Sequence, residues 1–309
     1  MTGISHTTLS NKNMTIKKLL DISDLNRKDF DNILNYSKTV NENNSDVLKN
    51  KSIGLIFEKY STRTRISFQV GIKQLGGHSI DLRFEELNIQ RVESFEDTFE
   101  IFGCYLDALI FRTSSHDKLI TAHNYFKKPL INALSDKSHP CQIISDFYTI
   151  KNHFSSLENI SISWFGDMNN VLYSYLDAAK LYPEIKINVF TDESIYKKNI
   201  KNFPISNNIQ FYFELDRKVI ATSDCIMTDV FNSMNDDNGQ SKDKILGKYQ
   251  VNNEIMSITK NNSIIMHCLP ANVGSEVTHD VLSHPKSVTL IQAYNRLIAQ
   301  KGILKWLNI

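Results

Sequence analysis

Short apolar runs alternate with stretches of helical period along nearly the whole chain, and that alternation restricts it to a parallel α/β architecture. The strand-like runs of the first half cover residues 52–57, 78–82, 107–111 and 129–132; those of the second half cover 160–165, 186–190, 209–213, 224–228, 263–267 and 288–291. Strands joined by crossover helices pair in parallel and are covered on both faces. Residues 26–40 carry Phe30, Ile33 and Leu34 at helical spacing, with Asn26 and Asp29 placed as a capping pair. A helix over 143–154 bridges the two sets of strands, and an amphipathic helix over 292–307 closes the chain. With 309 residues there is material for two cores. The expected fold is therefore two doubly wound parallel-sheet α/β domains joined by helices.

Composition removes several classes of function. The formal net charge is +1, so no bulk field draws in nucleic acid or an anionic membrane. No apolar run approaches the ~20 residues of a membrane span. The four cysteines, Cys104, Cys141, Cys225 and Cys268, show neither a C-x-x-C pair nor metal-ligand spacing. They read as free thiols of a reducing cytoplasm, with no metal site. Residues 1–14 are polar and read as a disordered extension, and the polar stretch 232–248 reads as a long loop.

Chemistry-bearing residues collect where strands end. Ser61-Thr62-Arg63-Thr64-Arg65 follows the run 52–57 and precedes a stretch with helical spacing at Phe68, Ile72 and Leu75. A helix N-terminus already favours an anion through its free N–H groups, and hydroxyls and guanidiniums add donors that phosphate oxygens accept. A simple helix cap needs only one of those hydroxyls. Arg112 ends the third run, and His139-Pro140-Cys141-Gln142 opens the bridging helix, where His139 could also serve merely as a cap. Gly166-Asp167-Met168-Asn169-Asn170, Asp229 with Ser233-Met234, and His267-Cys268-Leu269-Pro270 follow strands of the second half. Ligands of open α/β sheets bind beyond the carboxyl ends of the strands, so all these groups are expected around one cleft. Cys268 alone would be read as a small buried hydrophobe, Asp229 as a cap, and Asn169-Asn170 as a turn device. No P-loop sequence occurs.

At these residues, and at Gln292-Ala293-Tyr294-Asn295-Arg296-Leu297, the chain resembles the transcarbamoylase family, on its ornithine branch, over residues 15–309. Ser-Thr-Arg-Thr-Arg with His-Pro-x-Gln marks users of carbamoyl phosphate, whereas Asp-x-x-x-Ser-Met and His-Cys-Leu-Pro mark the ornithine branch. The resemblance implies that Ser61, Thr62, Arg63, Thr64 and Arg112 hold the phosphate. It places His139, Gln142, Arg296, Cys268 and Leu269 at the carbamoyl end, with Asn88 reaching toward a neighbouring subunit. Asn170, Asp229, Ser233 and Met234 are implied to hold ornithine, with Cys268 beside the attacking amine. Arg112, Thr64 and His139 are implied to stabilise the oxyanion, without cofactor or metal. A carbamoyl-phosphate-binding domain over 15–148, with the helix 292–309 packed back on it, and an ornithine-binding domain over 149–291 are implied, as is a cytoplasmic homotrimer. Phe231, Asn235 and Tyr294 stand where relatives commonly have Trp, Gly and Glu. A transferase acting on putrescine, an N-acylornithine or aspartate, or a non-catalytic carbamoyl-phosphate binder, remains an alternative.

Overall fold

The computed structural model describes residues 16–42, 46–87, 89, 92–232 and 242–309. Five strands form a first sheet: β1 (Lys18–Leu19), β2 (Ser52–Phe57), β3 (His78–Arg83), β4 (Ala108–Arg112) and β5 (Leu130–Leu134). Their order is β1-β5-β4-β2-β3, and every pairing is parallel. Five more, β6 (Ser161–Phe165), β7 (Lys186–Phe190), β8 (Ile209–Tyr212), β9 (Cys225–Thr228) and β10 (Ile264–His267), form a second parallel sheet in the order β10-β9-β6-β7-β8. The helices of the first part are α1 (Arg27–Glu42), α2 (Thr62–Gln74), α3 (Phe95–Tyr105), α4 (His116–Phe126) and α5 (Pro140–Phe154). The second part adds α6 (Asn170–Leu181), α7 (Glu193–Asn199), α8 (Arg217–Ile220), α9 (Asp243–Leu246), α10 (Asn253–Ile258), α11 (His279–Leu282) and α12 (Thr289–Leu307). Two doubly wound sheets are thus present as the alternation of periods requires.

Each sheet reverses its winding once. In the first, the chain goes from β2 outward to β3 and then returns to place β4 on the other side of β2. In the second, β7 and β8 lie on one side of β6 and β9 on the other. Such reversals leave a crevice beyond the carboxyl ends of the two central strands, because the connections leave on opposite faces. Ser61–Arg65 and Arg112 flank the first crevice; Gly166–Asn170 and Asp229 flank the second.

Residues 288–291, expected as a strand, instead open α12. Ser287 makes an isolated bridge to Ile265, and the Val288 amide donates to the Ile265 carbonyl, after which the chain turns into the helix. Thr289 and Gln292 are buried while Leu290 is 80 % exposed, a helical pattern that a four-residue apolar run is too short to display. β1 is only two residues long and left no periodic signal. The end of the expected loop 232–248 is helical at α9, and the bridging helix starts earlier than the apolar pattern, at Pro140, since Pro suits a first helical turn.

α12 packs back on α1, α2 and α5. Gly302 permits the close crossing with α1: a Cβ there would lie 2.7 Å from the Ile33 carbonyl oxygen. The two sheets are held together on the side away from the cleft by Phe30 of α1, Phe147 of α5 and Tyr182, whose ring centroids lie 5.3–5.4 Å apart. Arg27 stacks on Tyr182 at 3.9 Å and reaches Glu184 in a paired hydrogen bond, while the Tyr182 hydroxyl donates to Asp31.

Candidate active site

Ser61 precedes the first turn of α2 but makes no side-chain cap bond. Its Oγ accepts instead from Arg112 Nη1 at 3.1 Å. Thr64, one turn inside the helix, is 1 % exposed, and its Oγ1 accepts from Arg296 Nη2 of α12 at 2.5 Å. A hydroxyl that accepts from a guanidinium keeps its own proton to donate, so both are poised as donors to a ligand oxygen. Thr62 and Arg63 lie exposed in the same turn, whose amides have no partner within the helix. Arg65 departs from the clamp read in the sequence: it turns outward to Asp81 at 3.2 Å. Residue 65 lies on the face of α2 toward the edge strand β3, away from the crevice.

Three guanidiniums, those of Arg63, Arg112 and Arg296, are mutually repulsive, and none forms a salt bridge among the described residues. Burial, then Arg296, lowers Arg112 to about 10. Arg112 Nε, Arg296 Nε and His139 Nδ1 are buried without any hydrogen-bond partner. Buried polar atoms are nearly always satisfied, and Arg296 and Arg112 both act on His139, so these three groups are close neighbours. No carboxylate among the described residues forms a salt bridge with these guanidiniums, so the cluster is one that favours an anion.

His139 caps α5 in position only. Its side chain makes no cap bond, and its amide donates to Ser174 Oγ at 2.8 Å. Burial, then Arg296 and Arg112, holds its pKa well below the usual imidazole range, so it is a neutral donor. The loop that delivers it is a buried knot in which Asn132 Nδ2 donates to the Leu20 carbonyl at 2.8 Å and to Ser138 Oγ at 3.1 Å. One turn on, Gln142 Nε2 donates to Asp146 Oδ1 at 2.8 Å, and Gln142 Oε1 accepts from Cys268 Sγ at 3.5 Å.

Across the crevice, Gly166 has φ +121°, and a Cβ there would lie 2.7 Å from the Phe231 ring, so only glycine lets the chain turn over this aromatic. Asn169 caps α6 through Oδ1, accepting from Val171 and Leu172, which forces its Nδ2 toward Asp229 Oδ2 at 2.9 Å. Burial raises the pKa of Asp229. Burial and Asp229 together push the Cys268 thiol well above its ordinary value, so it stays protonated and is no thiolate nucleophile. His267 Nδ1 accepts from the Leu269 amide, which leaves Nε2 as the protonated nitrogen, donating to Glu276 Oε1 at 3.0 Å. That chain of bonds pins the Cys268–Leu269 backbone.

Of the expected groups, hydrogen bonds join Ser61 to Arg112, Thr64 to Arg296 and Gln142 to Cys268; Arg63, Arg112 and Arg296 stand close enough to act on one another, the last two also act on His139, and Asp229 acts on Cys268. Thr62 shares the first turn of α2 with Arg63, and Leu269 follows Cys268 in the chain. Asn170 Nδ2 donates across the gap to the Ser135 carbonyl at 2.7 Å. Asn88, Ser233, Met234, Asn235 and the extension 1–14 lie outside the described residues. Sequence reasoning passed over Asn169 as an anchor for Asp229, and over Asp146, Gln292 and Glu276. The spacing of Asp146, four residues after Gln142 on one helix face, was the available signal.

Residues 17–152 match the family described as aspartate/ornithine carbamoyltransferase, carbamoyl-P binding domain, and residues 158–307 match its Asp/Orn binding domain. The chain is similar to ornithine carbamoyltransferase of Nitrobacter winogradskyi, 37 % identical with 94 % of this chain and 96 % of the relative covered. It is also similar to that of Methanococcus aeolicus, 38 % identical with 94 % and 98 % covered. Among solved structures, ornithine carbamoyltransferase from Pyrococcus furiosus superposes with a TM-score of 0.86 at 34 % identity, covering 93 % of this chain and 96 % of that one. Guanidiniums gathered with no salt bridge among the described residues, a buried carboxyl at the second sheet's winding reversal, and both halves of the family matched in order place this chain in the aspartate/ornithine carbamoyltransferase family.

Proposed function

We propose that the chain transfers the carbamoyl group of carbamoyl phosphate to the side-chain amine of L-ornithine, giving L-citrulline and phosphate. The observation that carries this reading is the gathering of Arg63, Arg112 and Arg296 beside the neutral His139, with no salt bridge to those three guanidiniums among the described residues. The phosphate lies against Ser61, Thr62, Arg63, Thr64, Arg112 and the α2 amides. The carbamoyl oxygen meets Thr64, Arg112 and His139, and the carbamoyl nitrogen meets Gln142 Oε1 and the carbonyls of Cys268 and Leu269. Asp229 pairs with the α-ammonium of ornithine, and Asn170, Ser233 and Met234 complete the head-group contacts. An ornithine carboxylate also reaching for Asn170 would compete with the Ser135 carbonyl for its Nδ2.

The amine attacks the carbonyl carbon. As the new C–N bond forms, the carbonyl electron pair moves to oxygen, and collapse of that oxyanion breaks the C–O bond to phosphate, which takes the surplus amine proton. Each donor aimed at the oxyanion contributes roughly 3–4 kcal/mol. An amine with an ordinary pKa near 10.4 costs about 4–5 kcal/mol to deprotonate at pH 7. A carboxylate beside it would raise that cost, which argues that Asp229 holds the α-ammonium while the reacting nitrogen sits by the protonated Cys268 and the arginines.

Residues 15–148 with 292–309 form the carbamoyl-phosphate unit in this reading and 149–291 the ornithine unit, with α5 running through their junction. A homotrimer is inferred from the exposed Ile66 and Val70 of α2 beside Ile80 of the edge strand β3, an apolar face fit for a second copy. Sedimentation equilibrium tests it. The four free thiols support a cytoplasmic setting. Purified protein given carbamoyl phosphate with ornithine, putrescine, N-acetylornithine or aspartate, in separate reactions, should form a ureido product with ornithine alone. Turnover with one of the others in its place overturns the assignment of the acceptor.

A further inference from the structure

Asp146 lies in the middle of α5, is fully buried, and touches neither the opening nor any cation. Its carboxyl is a hub. Oδ1 accepts from Gln142 Nε2 at 2.8 Å and from Gln292 Nε2 at 2.7 Å, and Oδ2 accepts from the Tyr175 hydroxyl at 2.8 Å. Gln292 in turn accepts the His267 amide on its Oε1 at 2.9 Å. The hub thus joins α5, α6, α12 and the end of β10.

A carboxylate can only accept, so it dictates which end of each amide faces it. Gln142 must turn Nε2 inward and therefore Oε1 outward, toward Cys268. Gln292 must likewise turn Oε1 toward the His267 amide, which positions the strand end leading to Cys268 and Leu269. Without Asp146 the two ends of the Gln142 amide would be nearly equivalent in shape, and only the Cys268 thiol, a weak donor 3.5 Å from Oε1, would choose between them. Burial raises the Asp146 carboxyl to about 7, and the donors from Gln292, Tyr175 and Gln142 oppose that rise. Either ionisation state keeps the arrangement: a proton settles on Oδ2, where the Tyr175 hydroxyl can turn, while Oδ1 still accepts from both glutamines.

We propose that Asp146 is a positioning residue for donor specificity: by holding Gln142 with its carbonyl oxygen toward the crevice, it makes the site select an acyl phosphate whose acyl group ends in N–H donors over one that ends in a methyl group. This rests on the proposed use of carbamoyl phosphate. An acyl phosphate with a methyl group in place of the amino group leaves Gln142 Oε1 with only the weak Cys268 thiol as a donor, and a buried acceptor short of a strong partner is an effective means of rejecting an analogue.

The test is titration calorimetry of wild type, Asp146→Asn and Asp146→Leu with carbamoyl phosphate and, separately, acetyl phosphate. Wild type should prefer the carbamoyl compound by at least about tenfold. Asp146→Leu should lose about tenfold of that ratio, chiefly through weaker carbamoyl phosphate binding, because Gln142 can then present either end. Asp146→Asn should retain the ratio, since its amide oxygen can still accept from both glutamines while its NH2 turns to Tyr175. A merely structural role for Asp146 would weaken both ligands together and leave the ratio alone. Should Asp146→Leu not fold, Asp146→Leu combined with Tyr175→Phe leaves no orphaned hydroxyl and is measured in its place. A ratio near one in wild type, or an unchanged ratio in the folded leucine variant, overturns the inference. Absence of any carbamoyl phosphate binding by wild type would instead defeat the proposed function.

Discussion

Arg112→Met should stabilise the ligand-free protein while abolishing most of its affinity for phosphate. The methionine keeps the apolar stem and removes a charge that is 7 % exposed and crowded by Arg296 and Arg63. The fall of Arg112 from 12.5 to about 10 corresponds to roughly 3 kcal/mol spent in holding the cation there. Losing the bond to Ser61 Oγ returns about 1 kcal/mol, which leaves a net gain of about 2 kcal/mol for the variant. For large domains that is a rise in Tm of about 4–8 °C. Removing one member of a buried, hydrogen-bonded charge pair typically costs 2–5 kcal/mol, so the dissociation constant for inorganic phosphate should rise by about 30-fold to several thousand-fold. Thermal scans without phosphate and with increasing phosphate read both effects: wild type starts lower and climbs with phosphate, while the variant starts higher and stays flat. A variant less stable than wild type without ligand would refute the claim that the unliganded cluster is electrostatically strained. An unchanged phosphate response would refute the placement of the anion.

Asp229→Asn should raise KM for ornithine by about ten- to a hundredfold, the loss of a charged hydrogen bond, with KM for carbamoyl phosphate steady; steady-state kinetics decides, and an unchanged ornithine KM counts against the α-ammonium pairing. Gly166→Ala should destabilise the protein and weaken ornithine binding together, because φ +121° and the Phe231 ring both exclude a side chain; equal denaturation midpoints would contradict it. His139 has a lower pKa folded than unfolded, so the unfolded chain binds more protons below about pH 6.5. The stability of wild type relative to His139→Gln should therefore fall as pH drops from 7 to 5, which urea titrations at each pH will read. Exposed Cys104 should be alkylated by iodoacetamide at pH 8 far faster than Cys268, whose thiol burial and Asp229 keep protonated; peptide mass spectrometry compares them.

The parallel sheets were legible because strands buried on both faces are continuous apolar runs, as at β2, β4 and β6, and the helices between them show their own period. Where the signal was shorter than a period, the reading failed: 288–291 became the start of a helix, and β1 went unseen. Individual residues divided along similar lines. Ser61 and His139 sit at helix starts, where a cap and a ligand group look alike in sequence, and only the missing cap bonds separate the two. Arg65 looked equivalent to Arg63 until the helix turned it toward Asp81. Asn169 seemed a turn device because its second role requires Asp229, sixty residues away.

Local pattern by itself determined the periods, hence the class of sheet, and the ends of strands where donors accumulate. Chain folding alone decided which of those donors would meet, with no salt bridge to Arg63, Arg112 or Arg296 among the described residues, and which way each amide would face. Periodicity is set by neighbours three or four residues apart, whereas Arg112 and Asp146 acquire their charge state, and Gln292 and Arg296 their orientation, from partners brought together by the winding of two sheets, and no property of a single stretch of chain encodes that meeting.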